Sequence, residues 1–168
     1  MRVRRGKQIG RIEERLVPGP GWVIRLRLYW PLQSTAPMPG IVYFHGGGHV
    51  IGSLDTHDFI ARNLCGGTEA MVASVDYRMG PEHKFPAAVD DCFAALEWVH
   101  ANAGSLGADP NQIGVHGDSA GGNLAAIAAL LARDAGGPQL RLQSLVYPSS
   151  TTVSPAAATT HTPAATAF

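Results

Sequence analysis

The sequence predicts an α/β fold, a mostly parallel sheet with helices on both faces. Three observations carry this reading. From Ile9 to Tyr147 short apolar runs alternate with segments of helical periodicity, the pattern of strands joined by crossover helices. Glycine clusters stand directly after two of those runs, where a parallel sheet turns from strand to loop or helix. Hydrophobic residues make up 45% of 168, enough to bury the core of one domain.

The first strand-like segment begins near Ile9. Val23–Trp30 alternates apolar and basic residues after Ile24, so it reads as a strand with one wet face. Residues 41–44, 71–75 and 112–116 are short apolar runs that read as strands, and 140–147 supplies another after the last helix. Val89, Cys92, Phe93, Leu96 and Val99 recur at spacings of three and four, which predicts a helix with one apolar face. Pro86 suits its first turn, and Gly104 and Gly107 suit its end. Residues 119–133 are rich in Ala and Leu and predict a second helix. The domain is therefore expected over 1–148. Residues 149–168 hold six Ala, six Thr, three Ser and two Pro and no formal charge, too little apolar side chain to offset ordering, so a disordered tail is expected there.

Composition narrows the function classes. Thirteen Lys and Arg balance thirteen Asp and Glu, so no global field recruits nucleic acid or an anionic membrane. Cys65 and Cys92 alone make neither a disulfide framework nor a CxxC site. The basic start, Met1 to Lys7, leads into no apolar segment of the secretory kind. The longest strongly apolar run, 124–132, is nine residues against the roughly 20 that span a bilayer. A cytoplasmic protein is the expectation.

Two motifs carry chemistry. Gly117-Asp118-Ser119-Ala120-Gly121-Gly122 stands between a predicted strand and a predicted helix. In that context G-x-S-x-G reads as a nucleophile elbow, with Ser119 strained and exposed above the sheet and glycines where a Cβ would block the chain. The Ala120 N–H at the helix start would face a developing oxyanion. The bland reading is a helix-entry turn capped by Asp118 or Ser119. His45-Gly46-Gly47-Gly48 follows the strand 41–44, and its glycines let backbone N–H groups turn toward a substrate, as an oxyanion hole requires. Alone it could be a flexible loop; with the elbow it reads as the companion motif. His45 and His49 do not form a helical metal pair, HExxH is absent, and no metal is expected.

These motifs, with Asp76-Tyr77-Arg78, Pro81-Glu82-His83 and Phe85-Pro86-Ala87 between them, resemble the hormone-sensitive-lipase-like esterases of the α/β-hydrolase superfamily. The resemblance runs from about Ile12 to Pro148. It implies Ser119 as acyl nucleophile and Gly46, Gly47 and Ala120 as oxyanion donors, with His45, Gly48, Gly117, Asp118 and Gly121 as motif support. It implies small carboxylic esters as substrates, no cofactor, and a structural corner over 76–86.

The resemblance also implies an acid and a histidine after the serine, in that order. The sequence holds only Asp134, about 22 Å along the predicted helix, and His161 in the tail. Neither suits the role. The expectation is a partial hydrolase fold, lacking the last strands and the lid, as a frameshift or an incomplete gene model would produce. Without a base Ser119 keeps an ordinary hydroxyl, and residual rate would come from the oxyanion hole and binding alone. The alternatives are a non-catalytic ligand- or partner-binding domain with an inherited motif, and an amidase or deacetylase on the same scaffold. The strand 140–147 is expected to leave an unpaired edge that favours homo-oligomers.

Overall fold

The computed structural model describes residues 6–33 and 36–149. In chain order its elements are β1 (Arg11–Pro18), β2 (Val23–Trp30), β3 (Met38–Phe44), α1 (Asp58–Thr68), β4 (Met71–Asp76), α2 (Ala87–Ala101), a 3-10 turn (Ala103–Leu106), β5 (Ala108–Asp118), α3 (Ala120–Asp134) and β6 (Leu142–Val146). One six-stranded sheet runs β1-β2-β4-β3-β5-β6. Its β1–β2 and β2–β4 pairs are antiparallel, and β4–β3, β3–β5 and β5–β6 are parallel. The sheet is thus parallel where the predicted site lies and antiparallel at the hairpin edge.

Both faces are covered. On one face α2 and α3 pack over Leu26, Leu28, Val42, Phe44, Ala73 and Val75, all fully buried. On the other, Ala61 and Cys65 of α1 pack on Tyr29, Tyr43 and Val72. Helix α1 went unpredicted; it ends in Gly66-Gly67 and carries only a short apolar face. The helix starting after Pro86 ends earlier than expected: α2 stops at Ala101, Gly104 lies in the 3-10 turn that follows, and Gly107 caps that turn.

The basic side of β2 is only partly wet. The Arg25 side chain is 43% exposed, whereas that of Arg27 is only 14% exposed because Glu14 of the neighbouring strand, Asp55 before α1 and Asp58 at its start surround it. Tyr29 Oη donates to Asp58 Oδ1 at 2.9 Å, so the acidic first turn of α1 is tied to β2 from two positions.

A second polar anchor fixes the corner after β4. Asp91 of α2, fully buried, accepts the Arg78 backbone N–H at 2.9 Å, its Nε at 3.0 Å and its Nη2 at 2.8 Å. Trp22 Nε1 at the β1–β2 turn donates to the same carboxylate at 3.1 Å. A buried carboxylate needs such a set of donors, and here they lock three segments together.

At the opposite edge β6 pairs with β5 and finds no strand on its other side among the described residues. Leu142, Val146 and Tyr147 are exposed there. Of the expected tail, Ser149 alone is described; its N–H donates to Ser119 O at 3.1 Å. Residues 150–168 and the histidine at 161 lie outside the described residues.

Candidate active site

Strand β5 ends at Asp118 and α3 begins at Ala120, leaving Ser119 alone between them. Its backbone has φ 52° and ψ −118°, a region L-residues avoid because of steric strain. Neighbours hold it there: Ser119 N–H donates to Val146 O of β6 at 2.9 Å, and Ser119 O accepts the N–H groups of Asn123 and Ser149, both at 3.1 Å. Three backbone bonds around one serine hold this strained conformation in place. Ser119 stands at the N-cap position of α3, and its hydroxyl makes no capping bond.

The elbow turns tightly because α3 starts against the end of β3. A Cβ on Gly121 would run into the carbonyl oxygens of Phe44 and His45, and one on Gly117 into the Gly121 carbonyl. The first residues of α3 therefore sit directly beneath the loop that follows β3.

That loop, His45 to Gly48, is built from a sequence of backbone anchors. Tyr77 Oη donates to His45 O at 2.6 Å. Gly46 N–H points inward to Asp118 Oδ1 at 3.3 Å, and the same oxygen accepts Tyr43 Oη at 2.8 Å. Both ends of the 45–46 peptide are thus held. His45 Nδ1 lies 2.8 Å from Gly46 O, and a carbonyl only accepts, so Nδ1 carries the proton. The imidazole is stacked between Tyr77, 4.6 Å away, and His57, 4.9 Å away. Because a trans peptide sets N–H opposite C=O, drawing the Gly46 carbonyl toward the imidazole turns the Gly47 N–H the other way. Gly47 has φ 131° and a Cβ there would strike the Ile51 carbonyl, so only glycine serves.

Gly46 differs from its neighbours in where its N–H goes. Its N–H is taken by Asp118 and its residue is buried, whereas Gly47 N–H, Gly48 N–H and Ala120 N–H donate to no acceptor among the described residues. Gly46 belongs with Asp118 and His45 to the framework of the loop. Gly117 and Gly121 touch each other across the turn that holds Ser119, and Asp118 bonds to the loop that contains His45 and Gly48. Sequence reasoning missed Tyr43 and Tyr77; both phenols are buried, and each donates into the loop framework. Burial and the Asp118 charge hold the Tyr43 phenol well above its ordinary pKa, so it stays a donor. Asp134 lies at the far end of α3, exposed and paired with Arg133. Among the described residues no cluster of three His, Cys, Asp or Glu could hold a metal ion, and no helix is long and apolar enough to cross a membrane.

Burial lowers the pKa of His45, His49 and His116 from the ordinary 6.5. Each is favoured neutral in the fold, while the unfolded chain takes up protons from about 6.5 downward. Their contribution to stability is therefore whole above about pH 6.5 and is lost as pH falls through the lowered folded values. The melting temperature is expected to drop between pH 7.5 and 5, less so in His116→Gln. An equal drop in both proteins would contradict this assignment for His116.

A family model described as the alpha/beta hydrolase fold matches residues 41–168. The carboxylesterase NlhH of Mycobacterium tuberculosis is 54% identical over 83% of this chain and 44% of its own length. The esterase LipI of the same organism is 48% identical over 83% of this chain and 44% of its own length. Among solved structures, a hyperthermophilic esterase from the archaeon Pyrobaculum calidifontis superposes with a TM-score of 0.82 at 50% identity, over 84% of this chain and 45% of that one. The chain spans a little under half the length of the relatives it matches.

Proposed function

This chain belongs to the α/β hydrolase fold family, and from that premise we propose that it acts on carboxylic esters through an acyl-enzyme on Ser119. The observation that supports the reading is the strained Ser119 backbone, held beside a loop whose N–H groups are turned out by their own anchors.

In the proposed reaction Ser119 Oγ bonds to the ester carbonyl carbon, the carbonyl π electrons move onto its oxygen, and the serine proton passes to solvent. The Gly47, Gly48 and Ala120 N–H groups, which have no acceptor among the described residues, donate to that oxyanion. The C–O bond to the alcohol then breaks, the alcohol leaves with a solvent proton, and the acyl group stays on Ser119 until water releases it as the acid. The Ser119 hydroxyl has no hydrogen-bond partner among the described residues, so it reacts at an ordinary hydroxyl's pace, fastest with activated esters. An uncharged fluorophosphonate offers such a centre. Attachment to the folded chain and not to the heat-denatured one is expected; equal attachment to both would overturn the reading.

We also propose that β6 pairs with β6 of a second copy. The strand, Leu-Gln-Ser-Leu-Val, carries neither charge nor proline, the devices that keep edges apart, and the chain's net charge is zero. Light scattering is expected to show dimers that Leu145→Lys returns to monomers. Monomers of the parent chain at the same concentration would contradict this.

A further inference from the structure

The segment between β3 and α1 returns to the His45 imidazole and closes around it. Gly52, with φ 114°, lies so near that a Cβ there would strike His45 Nδ1 and the Gly46 carbonyl oxygen. Its backbone therefore covers the edge of the ring at which Nδ1–H donates to Gly46 O. A few residues on, His57 stands at the N-cap position of α1 and lays its ring on His45, with centroids 4.9 Å apart and planes 24° from parallel. His57 is itself fixed. Its N–H donates to Ser53 O at 3.2 Å, and its carbonyl accepts the N–H groups of Ile60 at 3.0 Å and Ala61 at 3.1 Å. Thr56 Oγ1 lies 2.9 Å from its Nδ1 and orients the imidazole.

The other end of the His45 ring is untethered. Nε2 is buried and has no hydrogen-bond partner among the described residues. A buried acceptor without a donor is a cost, so hydrogen bonding alone does not account for how this ring is held. One bond, Nδ1–H to Gly46 O, sets its tautomer, and rotation of the ring about Cβ–Cγ would break that bond. What resists the rotation is an aromatic ring on each face, Tyr77 on one and His57 on the other. Tyr77 has a second task, since its Oη also donates to His45 O. The His57 imidazole makes no helix-capping bond, so the start of α1 does not call for a histidine there.

We propose that His57 is a positioning residue for the loop after β3: its ring face keeps the His45 imidazole in line with Gly46 O and so keeps the Gly47 N–H turned outward. The proposal rests on the reading of Ser119 as nucleophile for its catalytic meaning. His57 acts through a ring and a peptide plane, not on the ester. Loss of a whole oxyanion donor costs about 10²–10³ in rate, so a donor that wanders should cost at least about tenfold.

Two substitutions separate the ring face from the rest of the position. His57→Asn removes the face and supplies a residue favoured at helix N-caps, so α1 keeps its start. His57→Phe puts a face back without nitrogens. Each is followed by the rate of Ser119 acetylation with p-nitrophenyl acetate, from intact mass and peptide mapping over a range of ester concentrations. Each is also followed by the tautomer of His45, from imidazole 15N shifts at about pH 8, where burial keeps that ring neutral. The parent chain is expected to hold His45 as Nδ1–H alone. His57→Asn should show both tautomers and a rate constant at least about tenfold lower, with the half-saturating ester concentration changed less than about twofold. His57→Phe should restore the single tautomer and bring the rate within about threefold of the parent. A folded His57→Asn chain with His45 still Nδ1–H alone overturns the proposal, as does an undiminished rate. Loss of the fold in His57→Asn would assign the ring to general packing and overturns it too. A Phe variant that behaves like the Asn variant would give the role to the His57 nitrogens, again against the proposal. A parent chain whose Ser119 takes no acetyl group overturns the nucleophile reading, and the tautomers alone then decide the role of His57.

Discussion

Replacing Ser119 with alanine is expected to abolish the covalent adduct that an uncharged fluorophosphonate leaves on the folded chain, while leaving the fold unchanged. The two halves of that expectation come from different observations. Loss of the adduct follows if the Ser119 hydroxyl is the atom that attacks. Retention of the fold follows because that hydroxyl forms no cap bond; the backbone bonds to Val146, Asn123 and Ser149 hold the elbow. Alanine suffers the same left-handed strain as serine, so the stability change should stay within about 0.5 kcal/mol. Intact-mass measurement and thermal melting on the same samples check both halves. An adduct that persists in the variant would move the nucleophile elsewhere.

Gly121→Ala should do the reverse and destroy the fold's support for the site. The added methyl would enter space held by the Phe44 and His45 carbonyls, and both are backbone atoms that cannot rotate aside. Either α3 lifts from β3 or the loop after β3 shifts, and each breaks packing among fully buried residues such as Phe44 and Val42. Overpacking against rigid neighbours costs about 3 kcal/mol, and backbone displacement raises the figure. That is a large share of the roughly 5–15 kcal/mol that holds a domain together. Gly104→Ala is the control, since a Cβ there meets nothing within 4 Å. Denaturant midpoints should fall sharply for the first variant and barely move for the second. Equal midpoints would mean that α3 and β3 do not pack as described.

Much of this arrangement was legible in the sequence because the residues that build it are the residues that name it. Strand-like runs, a serine between glycines and a glycine triplet after a strand are local patterns with local causes. What escaped reading depends on residues far apart in the chain. The glycine triplet shows where backbone can approach a substrate, but not that Asp118, 72 positions beyond Gly46, takes the first N–H. The arginines of β2 predict a wet side and Arg25 lies on one, but the acids that cover Arg27 come from another strand and from the start of α1 and the segment before it. Tyr43 and Tyr77 look like ordinary core aromatics until their hydroxyls are traced to Asp118 and the His45 carbonyl. The stack of His57 on His45 has no sequence signature at all, being made where the start of α1 meets the loop after β3.

If Ser119 attacks with oxyanion donors beside it and no described base speeds release of the acyl group, the acyl-enzyme accumulates. The direct measurement is the time course of intact mass and peptide mapping after mixing the chain with p-nitrophenyl acetate. One acetyl group per chain is expected, on the peptide that contains Ser119, formed faster than it clears. A folded chain whose Ser119 peptide stays unmodified, or one acetylated only on surface amines, would contradict it.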